Sequence, residues 1–427
     1  MRARFKLSKA TLEKALKGGS VESQMVVCLL IGVAGAGKTH TIHLLLQKDP
    51  PKQRNSTALA ERPVRAIRIS ASSGNLQVVS ADDLDNMLAN TVAVAIPSKK
   101  RAFSCNCFSD NDQYERPSGD EKTCCCNGCY STSRESESDL EEVTKSLDDT
   151  AHKISASAAQ CPPLKHNKWI YLIDSGGQIE FLEVLPAFLH HTSVCLFVTK
   201  LSEKLSDHPK IEYFENGKPI GEPTICTFTN EEMLMRCVRT IQSQCIHQSG
   251  DANQVSQVAV VGTHKDLEHK CPESRDDKNE KLFTLLHPAF DQSFVYYGQQ
   301  LKVPIFPVNA ESPGPEDHTV AGELTKRILE VASNTELRKT PISWFKFEQY
   351  LQKLTSQGTR ILRRVQCFQI AHKFHLSEKD FDAALDHLAS FCIIHYYFHL
   401  LPKVVFIDPH FLVGMISEIV KYHYVQH

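Results

Sequence analysis

Residues 32–39 read GVAGAGKT and follow directly on the apolar run of residues 25–31. This segment has the complete spacing G-x-x-x-x-G-K-T. Its glycines let the backbone pass close to a phosphate chain without a Cβ clash, so that successive N–H groups face the anion. The apolar spacing of residues 42, 45 and 46 behind the loop fits a helix. A strand, this loop and a helix together predict a nucleotide triphosphate site.

Two side chains of the loop have separate predicted roles. Lys38 is expected to reach the β- and γ-phosphates and is counted among the catalytic residues. Thr39 is expected to place its hydroxyl on a Mg²⁺ ion that bridges the same phosphates. The whole loop is predicted to contact the nucleotide, through Gly32, Val33, Ala34, Gly35, Ala36, Gly37, Lys38 and Thr39.

A second motif, DSGGQ at residues 174–178, follows the apolar run of residues 169–173. A carboxylate at the end of a strand, Asp174, is suited to hold Mg²⁺ through water. Gly177 is predicted to offer its N–H to the γ-phosphate, and Gln178 stands where a glutamine orients the attacking water. The alternative is a strand that simply ends in a glycine turn.

Two further motifs favour guanine over adenine. THKD at residues 263–266 ends a predicted buried strand at residues 258–262 and is a variant of N-K-x-D. Asp266 can accept two hydrogen bonds from guanine, and adenine lacks those donors. Lys265 is expected to lie along the base plane, with His264 between it and Thr263. Threonine in place of asparagine at the first position predicts that one polar contact with the phosphate loop is lost.

The last motif is NAE at residues 309–311, after the apolar run of residues 303–308. The backbone N–H of Ala310, beside Asn309, is placed to contact the guanine oxygen. Taken alone, this short pattern also fits an ordinary loop.

The order GVAGAGKT, DSGGQ, THKD and NAE resembles a Ras-type P-loop GTPase domain and, more specifically, the Roc domain of the Roco family, where threonine is common in the guanine motif. The resemblance covers about residues 23–335, and residues 341–422 look like the start of the COR domain that follows Roc. It implies an α/β domain with a mostly parallel central sheet flanked by helices, then a small α+β winged-helix-like domain. It also implies GTP or GDP as ligand and Mg²⁺ as cofactor.

The expected domains are an N-terminal helical extension at 1–22, a Roc-like GTPase domain at 23–335 and the N-terminal part of a COR-like domain at 336–427.

Ras-type enzymes also need a switch threonine. Thr57 lies 18 residues after Thr39 and is predicted to contact Mg²⁺ and the γ-phosphate. Arg54 lies three residues before Thr57. The cis arginine of heterotrimeric Gα subunits has the same separation from the switch threonine, and an arginine at this place would neutralise transition-state charge. Both residues also fit a solvated loop.

Between Thr57 and Asp174 the chain carries a long insertion. Residues 98–166 are polar and acidic without apolar periodicity, which predicts a disordered loop, because such a segment buries too little surface to offset its ordering entropy. Six cysteines gather there: Cys105, Cys107, Cys124, Cys125, Cys126 and Cys129. A zinc site, palmitoylation and an unstructured cysteine-rich loop all remain open.

Composition favours a cytoplasmic protein. At 427 residues with 41% hydrophobic content, two to three domains with cores are expected. A net charge of −2 argues against nucleic-acid binding. The N-terminus has no apolar segment of signal length, although residues 11–17 fit a short helix, and no apolar run is long enough to be a transmembrane segment.

The C-terminal part predicts a winged helix. Ser343 can cap one helix, and Ser377 with Asp380 can cap another. An apolar hairpin is expected from strands at 393–398 and 404–407, before an amphipathic helix at 410–422. Basic residues cluster only at Arg360, Arg363 and Arg364, which is too few for a DNA-binding surface and favours protein interaction.

Together these features predict a GTP-binding switch that hydrolyses GTP slowly and passes its state to the COR-like module. Its partners would be unidentified protein effectors, or a second copy bound through that module. Two alternatives remain: a nucleotide-binding scaffold without turnover, and a signalling-type P-loop ATPase with a winged helix. Asp266 and the single carboxylate of DSGGQ argue against the ATPase.

Overall fold

The computed structural model describes residues 19–52, 64–68, 76–79, 84, 167–177, 184–185, 188, 192–215, 217–248, 257–290, 294–297 and 303–425. The helix predicted at residues 11–17 and the insertion at residues 98–166, with its six cysteines, lie outside this part of the chain. So do Arg54, Thr57 and Gln178.

The described chain is built around an eight-stranded sheet of order β3–β2–β4–β1–β5–β8–β9, with β10 added beside β1. The neighbouring strands β4, β1, β5, β8 and β9 are parallel, and β2 and β3 are antiparallel at one edge. The predicted α/β fold with a mostly parallel central sheet is therefore confirmed. The strands are β1 Ser20–Gly32, β2 Val64–Arg68, β3 Leu76–Val78, β4 Asn167–Asp174, β5 Val194–Lys200, β6 Lys210–Glu215, β7 Lys218–Ile225, β8 Gln257–Thr263, β9 Ile305–Pro307, β10 Arg338–Pro341, β11 Ile361–Arg363 and β12 Val404–Phe406.

Helices cover this sheet and form most of the C-terminal module. They are α1 Lys38–Leu45, α2 Asn230–Gln248, α3 Arg275–Ala289, α4 Pro315–Asn334, α5 Ile342–Ser356, α6 Arg364–Lys373, α7 Glu378–Ser390 and α8 Pro409–Val425, with a 3₁₀ helix at Lys265–Lys270. α1 and α4 pack on each other and on β1 and β4, whereas α2 packs on β1 and β5. The centre of β1 is fully buried, as expected for a parallel strand that is covered on both faces.

The sheet reaches beyond both predicted domain limits. β1 begins at Ser20, inside the segment expected to be a helical extension, and its first residues pair antiparallel with β10. β10 lies in the segment assigned to the COR-like domain, yet it belongs to the main sheet. The reason is that β1 is longer than its parallel neighbours at that end, and the chain leaving α4 supplies the missing hydrogen-bond partners.

Residues 342–425, here called the C-terminal module, have the order α5, β11, α6, α7, β12, α8. β12 pairs antiparallel with β11. The prediction of a continuous hairpin strand at residues 393–398 was wrong. Within this segment only His395 forms a β-bridge, and its partner is Phe406. Beyond His395 the chain turns, with the N–H groups of Leu400 and Leu401 donating to the carbonyl of Tyr397 at 3.1 and 2.7 Å.

Only one of the two predicted serine caps is correct. At α7, the Ser377 hydroxyl accepts from the Asp380 N–H, and the Asp380 carboxylate accepts from the Ser377 N–H. At α5, Pro341 occupies the N-cap position and Ser343 lies buried inside the first turn, without a capping hydrogen bond. Pro341 takes that position because its ring fixes φ and it has no N–H to satisfy.

A second hairpin was not predicted. β6 and β7 pair antiparallel and form a separate two-stranded sheet. In the chain they follow β5 and precede α2. Most of β7 is exposed, and β7 also contacts α8 of the C-terminal module.

Candidate functional site

The phosphate loop connects β1 to α1, and its glycines are needed by the backbone. A Cβ on Gly32 would lie 2.1 Å from the Val198 carbonyl oxygen. Gly35 and Gly37 have φ values of 70° and 82°, which favour glycine, and Gly37 forms the N-cap of α1. The loop therefore requires glycine at all three places for conformational or steric reasons.

Lys38 is buried within this loop. Its ammonium donates to the carbonyl oxygens of Gly32 and Val33, both at 3.0 Å. Burial lowers the pKa of Lys38 to about 8, and the charge of Asp174 partly opposes that shift. Two backbone carbonyls of the loop thus hold the ammonium that is predicted to bind phosphate.

The two predicted Mg²⁺ ligands of the described chain meet directly. The Thr39 hydroxyl donates to Oδ2 of Asp174 at 2.5 Å. Asp174 is the last residue of β4 and is 4% exposed. A hydroxyl and a carboxylate side by side form a hard oxygen donor set, which fits Mg²⁺. Thr57, the third predicted ligand, is outside the described residues.

The DSGG segment lies against the phosphate loop. A Cβ added to Gly177 would be 2.3 Å from the backbone nitrogen of Ala34, so that only glycine fits without a shift of backbone. Ser175, which the sequence reasoning missed, is anchored by its hydroxyl, which donates to the Leu30 carbonyl at 2.6 Å. Gly177 therefore lies next to residues 33 and 34 of the loop, and its contact with the γ-phosphate stays a prediction.

Thr263 corrects an expectation from the sequence. Its hydroxyl lies 2.6 Å from the Ala36 carbonyl oxygen in the phosphate loop and 3.0 Å from that of Thr199. The single hydroxyl proton serves one of these acceptors at a time. The predicted loss of a polar contact with the phosphate loop was wrong, because the Thr263 hydroxyl at this strand end is close enough to reach the loop backbone.

The remaining guanine-motif residues surround the start of the 3₁₀ helix. His264 has φ 55°, in the left-handed region, and turns the chain from β8 into that helix. Burial lowers the pKa of His264. Asp266 is exposed in the first turn. Lys265 is ion-paired, with its ammonium 2.9 Å from Oε2 of Glu316 at the start of α4.

The NAE segment lies beside these residues. The Val308 N–H donates to the Gly262 carbonyl at 2.7 Å, and the Lys265 N–H to the Val308 carbonyl at 3.4 Å. Ala310 is buried, and the side-chain oxygen of Asn309 accepts from the Ser312 N–H at 3.1 Å. The fold thus brings residues 263–266 and 309–311 together at the carboxyl edge of the sheet, where ligands bind in open α/β folds.

Asp317 is a further residue that sequence reasoning missed. It lies three residues after Gly314 in the segment GPED. This pattern is typical of a helix start, and it is the sequence signal from which the position of Asp317 could have been predicted. Its carboxylate accepts from the Asn309 N–H at 3.0 Å.

The C-terminal module packs on β4 and on the segment that follows DSGGQ. Tyr171 of β4 stacks on Phe391 with ring centroids 4.6 Å apart. Phe188 packs with the buried Val413 of α8, and its carbonyl lies 3.6 Å from Sγ of Cys392. No pattern in the sequence predicted these contacts.

Within the described ranges, no cluster of three or more histidine, cysteine or acidic side chains is arranged to hold a metal ion. None of the helices in that part of the chain combines the length and apolar character of a membrane crossing.

The chain resembles solved structures but matches no known sequence family. No protein-family model matches the chain, and no curated protein matches it. Among solved structures, the chain is similar to that of Methanosarcina barkeri Roco2 RocCORdC bound to GDP, with a TM-score of 0.47 and 12% identity, over 95% of this chain and 80% of that chain. The resemblance to the Roco family rests on the four sequence motifs and on where the fold places them.

Proposed function

We propose that this protein is a GTP-binding switch of the Roco type that hydrolyses GTP slowly with Mg²⁺. The observation that carries the proposal is the contact of Thr263 with Ala36, at 2.6 Å between hydroxyl and carbonyl oxygens. It joins the start of the guanine motif to the phosphate loop. A base held at Asp266 and Ala310 would then have its phosphates along residues 32–39, as one nucleotide requires.

Each residue of the site has a definite task in this proposal. Lys38 and the loop N–H groups bind the phosphates, while Thr39 and Asp174 hold Mg²⁺, which neutralises phosphate charge when bound. Asp266 selects guanine by accepting from its donor edge. Gln178, Thr57 and Arg54 keep their predicted roles in orienting water, binding Mg²⁺ and neutralising charge.

Coupling to the C-terminal module is the second part of the proposal. Phe188 follows the DSGGQ motif by ten residues and packs on Val413 of α8. A change in the loop at Gly177 and Gln178 on hydrolysis would reach α8 through this contact. The module would then bind protein effectors, or a second copy of the chain, in the cytoplasm.

The test is nucleotide affinity and single-turnover hydrolysis with GTP and ATP. We expect GTP-selective binding that Lys38→Ala weakens by about a hundredfold, as loss of a charged phosphate contact costs a few kcal/mol. Gln178→Leu should bind normally and hydrolyse at least about tenfold more slowly. Lys339→Ala is the matched control, since this lysine is exposed and pairs with Glu22 at the far end of β1.

Other outcomes would contradict the proposal. Tight GTP binding without turnover in the wild type would make the protein a nucleotide-binding scaffold. Preference for ATP would overturn the guanine assignment and favour an ATPase.

A further inference from the structure

Asp317 lies at the third position of α4 and is 5% exposed. Its two carboxylate oxygens have different partners. Oδ2 accepts from the Gly314 N–H at 2.8 Å and so closes the first turn of the helix. Oδ1 accepts from the Asn309 N–H at 3.0 Å, and the same oxygen lies 3.8 Å from the Lys265 ammonium.

One buried carboxylate therefore contacts both guanine motifs, which are far apart in sequence. Lys265 also pairs with Glu316, but the Glu316 side chain is 86% exposed, so that water screens this second pair. The Asp317 side chain is only 7% exposed, and a charge there interacts more strongly with a neighbouring ammonium.

We propose that Asp317 is a positioning residue that sets selectivity for guanine, an inference that rests on the proposed function. By accepting from the Asn309 N–H, Asp317 fixes the backbone that leads into Ala310, whose own N–H is the proposed donor to the guanine oxygen. By attracting the Lys265 ammonium, it also joins the THKD segment to this backbone. Adenine has an amino group in place of the guanine oxygen, so alignment of this N–H favours guanine over adenine.

The simpler alternative is that Asp317 only caps α4. The chain offers a matched control, because Asp380 has the equivalent capping position in α7, where it accepts from the Ser377 N–H at 3.3 Å. Asp380→Asn weakens a helix cap away from the site. Asp317→Asn keeps one acceptor oxygen but turns the other into a donor, so the two backbone N–H groups can no longer both be satisfied.

The experiment measures dissociation constants for GDP, IDP and ADP with wild type, Asp317→Asn and Asp380→Asn. IDP keeps the oxygen that faces Ala310 but lacks the amino group that faces Asp266. We expect Asp317→Asn to weaken GDP and IDP binding by the same factor, about tenfold for one misaligned buried hydrogen bond, and to leave ADP binding unchanged. The rate of hydrolysis at saturating GTP should stay within about twofold, since the reacting phosphate is distant from the base.

A second variant tests the proposal even if Asp317→Asn folds poorly. Lys265→Met removes the ion pair but keeps an apolar stem and leaves the α4 cap intact, and it should also lower the ratio of GDP to ADP affinity. In the double variant the two losses should be less than additive, because both act through one contact.

An unchanged ratio of GDP to ADP affinity in Asp317→Asn and in Lys265→Met would overturn the proposal and leave Asp317 as a helix cap. A wild type without preference for GDP over ADP would instead contradict the proposed function. The two failures are therefore distinguishable.

Discussion

At the proposed nucleotide site, the polar side chains of Lys38, Asp174 and Thr263 are all nearly inaccessible to solvent. Burying such groups costs free energy unless each finds a partner. Lys38 donates to loop carbonyls, Asp174 accepts from Thr39, and Thr263 reaches the loop backbone. These contacts hold the predicted ligands of phosphate and Mg²⁺ in place within the protein itself.

The pKa of Lys38 leads to a prediction about pH. Because burial lowers it to about 8, the free site loses its ammonium as pH rises above that value. Bound phosphate favours the charged form, so binding must take up a proton above pH 8. We expect GDP affinity to be constant below pH 8 and to fall as pH rises further.

The measurement is the GDP dissociation constant across this window, with calorimetry in two buffers of different ionisation enthalpy to count the protons taken up. Lys38→Ala should bind weakly at every pH and lose the dependence. Constant affinity in the wild type to well above pH 8, without proton uptake, would contradict the prediction.

Gly177 gives the second prediction at this scale. In Gly177→Ala the new Cβ must displace the backbone of Val33 and Ala34, which lie within 2.5 Å of its position. We expect lower thermal stability and hydrolysis slowed by about tenfold or more, because small displacements of catalytic groups are costly. Unfolding curves and single-turnover rates measure both effects.

Gly322→Ala is the control for this change. Gly322 lies inside α4, and a Cβ there meets nothing within 4 Å. Alanine should stabilise the helix by about 0.5–1 kcal/mol and leave hydrolysis unaltered. Equal behaviour of the two variants would show that the contact between Gly177 and the phosphate loop is unimportant.

At the scale of elements, the helix starts show which local signals are decisive. α7 begins with a complete capping box at Ser377 and Asp380, whereas α5 continues directly from β10 through Pro341. A serine near a helix start is therefore a cap only where the chain arrives in the required conformation.

The prediction compares these two serines by chemical denaturation. Ser377→Ala should lower the free energy of unfolding by about 1 kcal/mol, because the Asp380 N–H loses its acceptor. Ser343→Ala should change it by less than about 0.5 kcal/mol, since no capping hydrogen bond is lost. A larger loss at Ser343 than at Ser377 would contradict the assignment of the caps.

At the scale of the whole described chain, the main sheet and the C-terminal module share a packed boundary. Besides Tyr171 on Phe391, Trp169 of β4 stacks on Phe345 of α5 with ring centroids 6.1 Å apart. Residues 169 and 171 alternate with 170 along the strand and so share one face of the sheet. The module is thus fixed to the strand that ends in Asp174.

The proposed coupling predicts a specific effect of Phe188. In the wild type, hydrogen exchange of α8 should differ between GDP and a non-hydrolysable GTP analogue. Phe188→Ala removes the aromatic contact with Val413, which should cost about 3 kcal/mol of stability and abolish that difference.

Phe398→Ala is the control, since Phe398 belongs to the same module and is 54% exposed. It should preserve the difference between nucleotides. Equal exchange of α8 with both nucleotides in the wild type would contradict the coupling itself. A difference that persists in Phe188→Ala would show that the coupling does not run through this contact.

Local sequence signals were enough to predict the α/β fold class and to single out the four motifs. This was possible because phosphate loops and buried parallel strands have local signatures: glycines where the backbone needs positive φ, and apolar runs where both faces are covered. The cap at Ser377 was predictable for the same reason, since a capping box spans only a few residues.

The contacts between distant segments, in contrast, became visible only in the folded chain. Thr263 reaches Ala36, Asp317 joins residues 265 and 309, and β10 completes β1 because the fold brings these groups within hydrogen-bonding distance. Residue type and spacing along the chain do not specify such distances. They are set when the hydrophobic sheet and its helices pack, and the polar groups at the strand ends then pair with whatever partners lie nearby.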